Sequence, residues 1–337
     1  MEDTASTRQR LAQMIVGFWT SQALHVAAHL RIADLLAAGP RTAEELAGRT
    51  ASDSRALYRV LRALAGAGVF EEDGEGRFAL TPLAAGLRTD DPATLQPFAV
   101  MAGTEFYQAW GELLHTVQTG EQGFRRSFGM PFFSYMTRRP DRHAIYDAAM
   151  TAVHGGETEP MLEAYDFAPL GTVMDVGGGN GSLLAAILAR YPAARGILFD
   201  LPAVADRARE AISGQGLSAR CEVVGGDFFT APLPRADAVV LRHVLHDWED
   251  AEAIAILRQC RATLPPGGRI LVVEMVIPAP NEPSFGKWLD LMMLLVGGRE
   301  RTSTEYGRLF DAAGLTLSRI VPTRCDVSIV EGVPSGD

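Results

Sequence analysis

Lysine is almost missing from this chain: Lys287 is the one lysine among 31 basic residues, and the other thirty are arginine. That bias fits GC-rich bacterial coding better than a binding adaptation. Cysteine is scarce as well. Cys221, Cys260 and Cys325 leave at least one thiol unpaired and form no CxxC, so neither a disulfide framework nor a zinc site is expected, and a reducing cytoplasm is. No window approaches 18 uninterrupted apolar residues. Met1-Glu2-Asp3 does not open a basic stretch leading into an apolar one, so a soluble, unprocessed chain with no membrane partner is expected. Positive charge is in deficit, with a net charge of −10 that repels phosphate backbones, so nucleic acid is not an expected partner. What is present is core material. At 337 residues, 47% hydrophobic and 21% charged, the chain exceeds one minimal domain and fits two.

The first hundred residues read as three helices and a hairpin. Apolar residues from Leu24 to Leu36 recur at helical spacing, predicting a helix over 21–36 that Gly39-Pro40 stops. Thr42 and Glu45 form a capping box for a short second helix. Ser52 or Asp53 caps a third, carrying Leu57, Val60, Leu61 and Leu64. Val69-Phe70 and residues 77–80 flank an acidic turn, which completes a winged-helix pattern. Arg55, Arg59 and Arg62 along the third helix raise the question of DNA. Residues 1–100, however, hold 10 arginines against 12 acidic residues, a balance of −2, and a dimerisation or substrate-covering module is the better reading. Residues 101–165 follow as connecting helices rich in Phe, Tyr, Trp and Met, most of them expected in a core.

From Gly171 onward, short apolar runs alternate with helical stretches, at 172–176, 196–199, 221–224, 238–241 and 270–274. This predicts βαβ units and a doubly wound, mostly parallel α/β sheet over 166–337, ending in an antiparallel pair, 315–321 and 326–331. Ligands of such sheets bind at the carboxyl ends of the strands. There the sequence places Asp175-Val176-Gly177-Gly178-Gly179-Asn180-Gly181, then Asp200, then Gly225-Gly226-Asp227-Phe228. Gly177, Gly179 and Gly181 let the backbone pass close to a ligand, Asp200 is placed to accept two ribose hydroxyls, Asp227 an adenine amino group, and Phe228 to stack on the base. NAD is the rival ligand, but GxGxG spacing and the acidic start at Asp175 argue against it. His243 and His246, three apart and followed by Asp247, could suggest a metal. With no cysteine and no HxxxH nearby, none is expected.

These blocks, DVGGGNG (175–181), FDLP (199–202), GGDFF (225–229), LRHVLHDWED (241–250), VVEMVIP (272–278) and GGRERT (297–302), stand in the order of a known family. The chain resembles the S-adenosylmethionine-dependent small-molecule O-methyltransferases of the caffeic-acid and isoflavone type, including bacterial members that decorate natural products. The resemblance implies a methyltransferase sheet behind a winged-helix dimerisation domain, a homodimer, S-adenosylmethionine as cofactor and an aromatic hydroxylated substrate. It also implies that Gly177, Gly179, Asp200, Asp227, Phe228 and Arg242 contact the cofactor, with arginine at 242 where plant enzymes carry lysine. By the same likeness His246 is the general base, flanked by Glu274 and Glu300. The likeness further implies that Tyr146 and Met150, with Trp110, Phe133, Asp290 and Met293, line the substrate pocket. An imidazole near its ordinary value of about 6.5 can take the proton of a phenol of about 10 as the methyl transfers. Relatives of the same fold that hydroxylate, C-methylate or run pericyclic chemistry are the alternative reading, a ligand-binding DNA regulator a further one.

Overall fold

A computed structural model describes residues 4–336. The chain separates into two compact units: one takes residues up to Gly111 together with Phe133–Gly155, the other Glu112–Phe132 and everything from Gly156. The expected boundaries near 100 and 165 therefore do not mark where compactness changes. The connecting stretch 101–165 is shared out between both units.

In the first unit, the helix expected over 21–36 is two helices, Phe18–His29 and Ile32–Leu36. Arg31 between them turns left-handed at φ 54°, a conformation costly for a residue with a Cβ. It is held there by bonds to Asp34 (2.8 Å) and Thr89 (2.7 Å). The break lets Ala27 and Ala28 on one helix and Ile32, Ala33 and Leu36 on the next all enter the core. Thr42 and Glu45 complete their capping box, and Asp53 caps Ser54–Gly66. Strands β1 (Arg41–Thr42), β2 (Phe70–Glu72) and β3 (Arg77–Leu80) pair in the order β1-β3-β2, so the hairpin carries a third, short strand that its spacing did not announce. Leu11, Met14 and Ile15 on the helix Thr4–Ile15, with Phe18 and Trp19 at the start of Phe18–His29, leave an apolar surface. Further on, a π-helix, Ala102–Phe106, places Glu105 against Arg142, with both carboxylate oxygens bonded at 2.5 Å. That pair pins the helix Pro140–Gly155, which carries Tyr146 and Met150.

The second unit is a seven-stranded sheet built from β4 (Thr172–Val176), β5 (Arg195–Asp200), β6 (Cys221–Gly225), β7 (Ala238–Arg242), β8 (Arg269–Glu274), β11 (Leu315–Pro322) and β12 (Ser328–Pro334). Two short strands, β9 (Val276–Ile277) and β10 (Arg301–Thr302), pair separately and parallel. The sheet order is β11-β12-β8-β7-β4-β5-β6, with β4 to β8 parallel and β11 and β12 antiparallel. The central strands are buried along nearly their whole length, as an apolar run covered by helices on both faces requires. Strand order reverses between β4 and β7, and that switch point opens a crevice at the carboxyl ends. No helix among the described residues is long and apolar enough to cross a membrane.

Candidate active site

The glycine-rich loop leaves β4 directly over the switch point. Gly177 N–H donates to Phe199 O (2.8 Å), Gly179 N–H to Asp200 Oδ2 (2.8 Å) and Gly226 N–H to Asp200 O (2.9 Å). The ends of β4, β5 and β6 are thus tied through Asp200, whose Oδ1 also accepts Leu201 N–H at 2.6 Å. Asp200 thus stands at the cradle as a carboxylate acceptor fixed by the loop's own amides. Gly179 sits at φ +58° with open space where a Cβ would project, as an approach surface for a ligand needs. Asp227 Oδ1 accepts Phe229 N–H at 2.9 Å, and Phe228 packs edge-on to Phe229 and Trp248. Arg242 donates to Thr158 Oγ1 at 3.1 Å, an engagement the sequence did not announce.

Asp175 lies beneath this loop. Its Oδ2 is buried with no hydrogen-bond partner among the described residues. Burial raises its acid to about 6, eased by Arg242 and reinforced by Asp200. An acceptor left unsatisfied under a glycine cradle, with acidic acceptors at the next strand ends, fits a ligand rich in hydroxyl and amino donors, as S-adenosylmethionine is.

The second half of the site is the turn after β7. His243 adopts φ 52°, with its N–H on Val273 O (3.1 Å) and Nε2 beside Glu157 (2.9 Å). His246, 7% exposed, lies on the turn Leu245–Asp247, its ring centroid 5.1 Å from that of His243. Nδ1 of His246 meets Glu300 Oε1 at 2.7 Å, and Nε2 lies 3.7 Å from Asp247 Oδ1, beyond hydrogen-bond length. Nε2 is therefore the ring nitrogen with no hydrogen bond among the described residues. Glu274 does not touch the ring. Its Oε1 accepts the N–H groups of Val244 and His246 (3.2 and 3.1 Å), and Oε2 meets the hydroxyl of Tyr306. Where the sequence reading had two acids flanking the imidazole, one orients the ring and the other holds the backbone that presents it.

The loop 297–302 locks this arrangement. Arg299 N–H donates to His246 O (2.8 Å), and a Cβ on Gly298 would stand 1.9 Å from that same oxygen. Buried Arg301 donates to Leu245 O (3.0 Å), Trp248 O (2.7 Å) and Asp250 Oδ1 (3.0 Å). Asp290, expected to line the pocket, spends Oδ1 on Glu300 N–H at 2.8 Å and so fixes the acid that orients His246. Met293, one turn further on the helix Gly286–Val296, is buried. Tyr146, Met150, Trp110 and Phe133 belong to the other unit, the first three half-buried and Phe133 43% exposed. Gly298, Arg301 and Asp290's bond to Glu300 were missed; the glycine pair opening GGRERT was the available signal.

Burial alone would lower the His246 imidazole, but Asp247, the bond to Glu300 and the charges of Glu300 and Glu274 outweigh it and push it up to about 10. This corrects the expectation of an imidazole near its ordinary value. Burial, opposed by His246, raises Asp247 to about 6, and burial raises Glu274 as well. Because the folded imidazole holds its proton more tightly than an unfolded one at 6.5, the bound proton stabilises the fold fully below pH 6.5. That contribution is lost as pH rises toward 10. Urea titrations at fixed ionic strength should show the wild-type midpoint falling more steeply between pH 7 and 10 than that of His246→Gln, and parallel slopes would contradict the shift.

Comparison with known proteins fits this geometry. Residues 110–316 match the O-methyltransferase domain and residues 12–90 the O-methyltransferase dimerisation domain. The phenazine O-methyltransferase PhzM of Lysobacter antibioticus is 46% identical over 96% of this chain and 95% of its own length. The O-methyltransferase NcsB1 from neocarzinostatin biosynthesis, solved with S-adenosylmethionine and 2-hydroxy-5-methyl naphthoic acid, is 38% identical, with a TM-score of 0.84, 94% of this chain covered and 96% of that one. The aclacinomycin 10-hydroxylase RdmB of Streptomyces purpurascens is 37% identical over 94% of this chain and 87% of its own. A glycine-cradled switch point, an imidazole with an orienting acid and a dimerisation domain ahead of both agree: the chain belongs to the S-adenosylmethionine-dependent O-methyltransferase family.

Proposed function

We propose that this enzyme methylates a hydroxyl of an aromatic small molecule in natural-product biosynthesis, acting as a cytoplasmic homodimer. One observation carries the reading: a Cβ on Gly177 would stand 2.8 Å from Val244 Cγ2, so the glycine loop abuts the turn that presents His246 two residues later. Methyl donor site and proton-handling group are therefore neighbours. S-adenosylmethionine supplies an electrophilic methyl carbon when bound. Asp200 would accept from its ribose hydroxyls and Asp227 from its adenine amino group, Phe228 would flank the base, and the Gly177–Gly179 backbone would carry the remainder. Acceptor oxygen, methyl carbon and sulfur must lie in line, so positioning contributes much of the rate. His246, oriented by Glu300, handles charge and proton at the acceptor oxygen through Nε2. The clustering of His246, Glu300 and Glu274 favours chemistry at a hydroxyl over the hydroxylation in the name of one relative. Free thiols at Cys221, Cys260 and Cys325 suit a reducing compartment. A screen of hydroxyphenazines, hydroxynaphthoates and hydroxyquinones with detection of S-adenosylhomocysteine tests the proposal. Product from at least one is expected, and none from any would reject it.

Asp200→Ala should weaken S-adenosylmethionine binding by about 100-fold or more, since it removes two charge-assisted bonds worth about 1.5–3 kcal/mol each. It also releases Gly179 N–H from the loop's own structure. Titration calorimetry showing wild-type affinity would contradict this role.

A further inference from the structure

The chain's one lysine holds the joint between two elements that grip Glu300. The N–H of Glu300 donates to Asp290 Oδ1 (2.8 Å) on the helix Gly286–Val296. Arg301 and Thr302, which follow it directly, form β10 and pair with Val276 and Ile277 of β9. Glu300 is thus held from two sides, by the helix and by the short ladder, and residues 278–285 connect those two holders. That connection opens on a tight turn. Glu282 N–H donates to Ala279 O (3.2 Å), with Pro280 next and Asn281 at φ 68°, as a type II turn requires. Lys287 Nζ donates to both ends of this turn, to Ala279 O (2.9 Å) and to Glu282 O (2.7 Å). Packing at the same place is close: a Cβ on Gly286 would stand 3.2 Å from Met275 Cβ and 3.6 Å from Ile277 Cδ1, so the helix start rests against β9 and the residue before it.

We propose that Lys287 is a positioning residue: its ammonium staples the turn 279–282 to the helix Gly286–Val296 and so fixes the Glu300 carboxylate that meets His246 Nδ1 at 2.7 Å. The inference rests on the O-methyl-transfer reading for its effect on turnover alone. Side-chain chemistry explains why lysine stands here in a chain that uses arginine at thirty other positions. An ammonium offers three donors from one compact atom, which suits two carbonyls converging on a single point. A guanidinium spreads its donors in one plane over separate nitrogens on a longer side chain and cannot replace it there.

Two measurements that need no acceptor test the staple and its reach. Protein labelled with nitrogen-15 lysine carries one side-chain ammonium, so its NMR signal belongs to Lys287 without further assignment. Held by two carbonyls, its protons should exchange slowly enough to be seen at pH 7, whereas exchange as fast as that of free lysine overturns the proposal. The imidazole proton between His246 Nδ1 and Glu300, identified by its absence in His246→Gln, should exchange with water about tenfold faster in Lys287→Met and in Lys287→Arg, although the second keeps the charge. Wild-type exchange in both variants overturns the proposal. Lys287→Cys alkylated with 2-bromoethylamine rebuilds an ammonium of nearly the same reach and should restore slow exchange, with alkylated wild type as the control for the other thiols; no recovery overturns the role of the ammonium. With an acceptor in hand, Lys287→Met should lower turnover about tenfold, less than the about 100-fold of a 1 Å misplacement, and leave S-adenosylmethionine affinity unchanged. That loss should vanish in a Glu300→Gln background, because the path runs through Glu300, and losses that simply multiply overturn the proposal. If no acceptor yields S-adenosylhomocysteine, the methyl-transfer reading fails on its own, while the two NMR results still decide the role of Lys287.

Discussion

Replacing His246 with glutamine is expected to lower turnover by about 100- to 10,000-fold, the contribution of a positioned proton-handling group, while leaving S-adenosylmethionine affinity unchanged. Glutamine approximates the shape but carries neither the charge nor the ring that Glu300 holds at 2.7 Å. Apart from Arg242, the cofactor contacts are assigned to other strand ends, so calorimetry should separate the two effects. Wild-type turnover in this variant would assign the rate to positioning alone. Glu300→Gln acts on the ring directly and should cost less than loss of the imidazole. Glu274→Gln acts differently, because its oxygens take the N–H groups of Val244 and His246, and an amide there turns one acceptor into a donor. Its signature is a loosened turn, seen as lost stability together with lost turnover.

Gly298→Ala is the second large effect. The added Cβ would stand 1.9 Å from His246 O, and the obstacle is backbone, so the loop 297–302 or the turn itself must move. Overpacking of this kind costs about 1–3 kcal/mol. A shift of about 1 Å in a catalytic group costs about 100-fold in rate, which is the expected fall in turnover. Gly48→Ala is the control: it lies in the helix Ala43–Thr50 with nothing within 4 Å of the added atom. There alanine should stabilise by about 0.5–1 kcal/mol, since glycine costs more chain entropy in a helix. Urea midpoints and turnover measured on both variants check the pair, and a Gly298→Ala enzyme with wild-type turnover would show that the loop is not pressed against the turn.

What the sequence determined by itself is whatever depends on neighbours along the chain. Apolar runs set β4 to β8 to within a residue or two, because a strand covered on both faces must be continuously apolar. Thr42 with Glu45, and Asp53, wrote their helix starts in three- or four-residue patterns, since a cap is satisfied locally. Acidic residues at three strand ends marked the cofactor side for the same reason: parallel topology brings those ends together without further instruction. Tertiary structure decided the rest. Arg31 breaks a helix whose periodicity runs straight through it, because Asp34 and the distant Thr89 hold it left-handed. Residues 101–165 divide between two units because their helices pack on different neighbours, Pro140–Gly155 on Gln96–Met101 and Gly123–Phe128 on Gly286–Val296. Glu300 reaches His246 across 54 positions, and Glu274, outwardly its twin, serves backbone amides. Both are glutamates at matching blocks, and only packing tells which carboxylate meets the ring. The state of the imidazole follows from that packing too, since its charge is set by how many carboxylates the fold leaves around it.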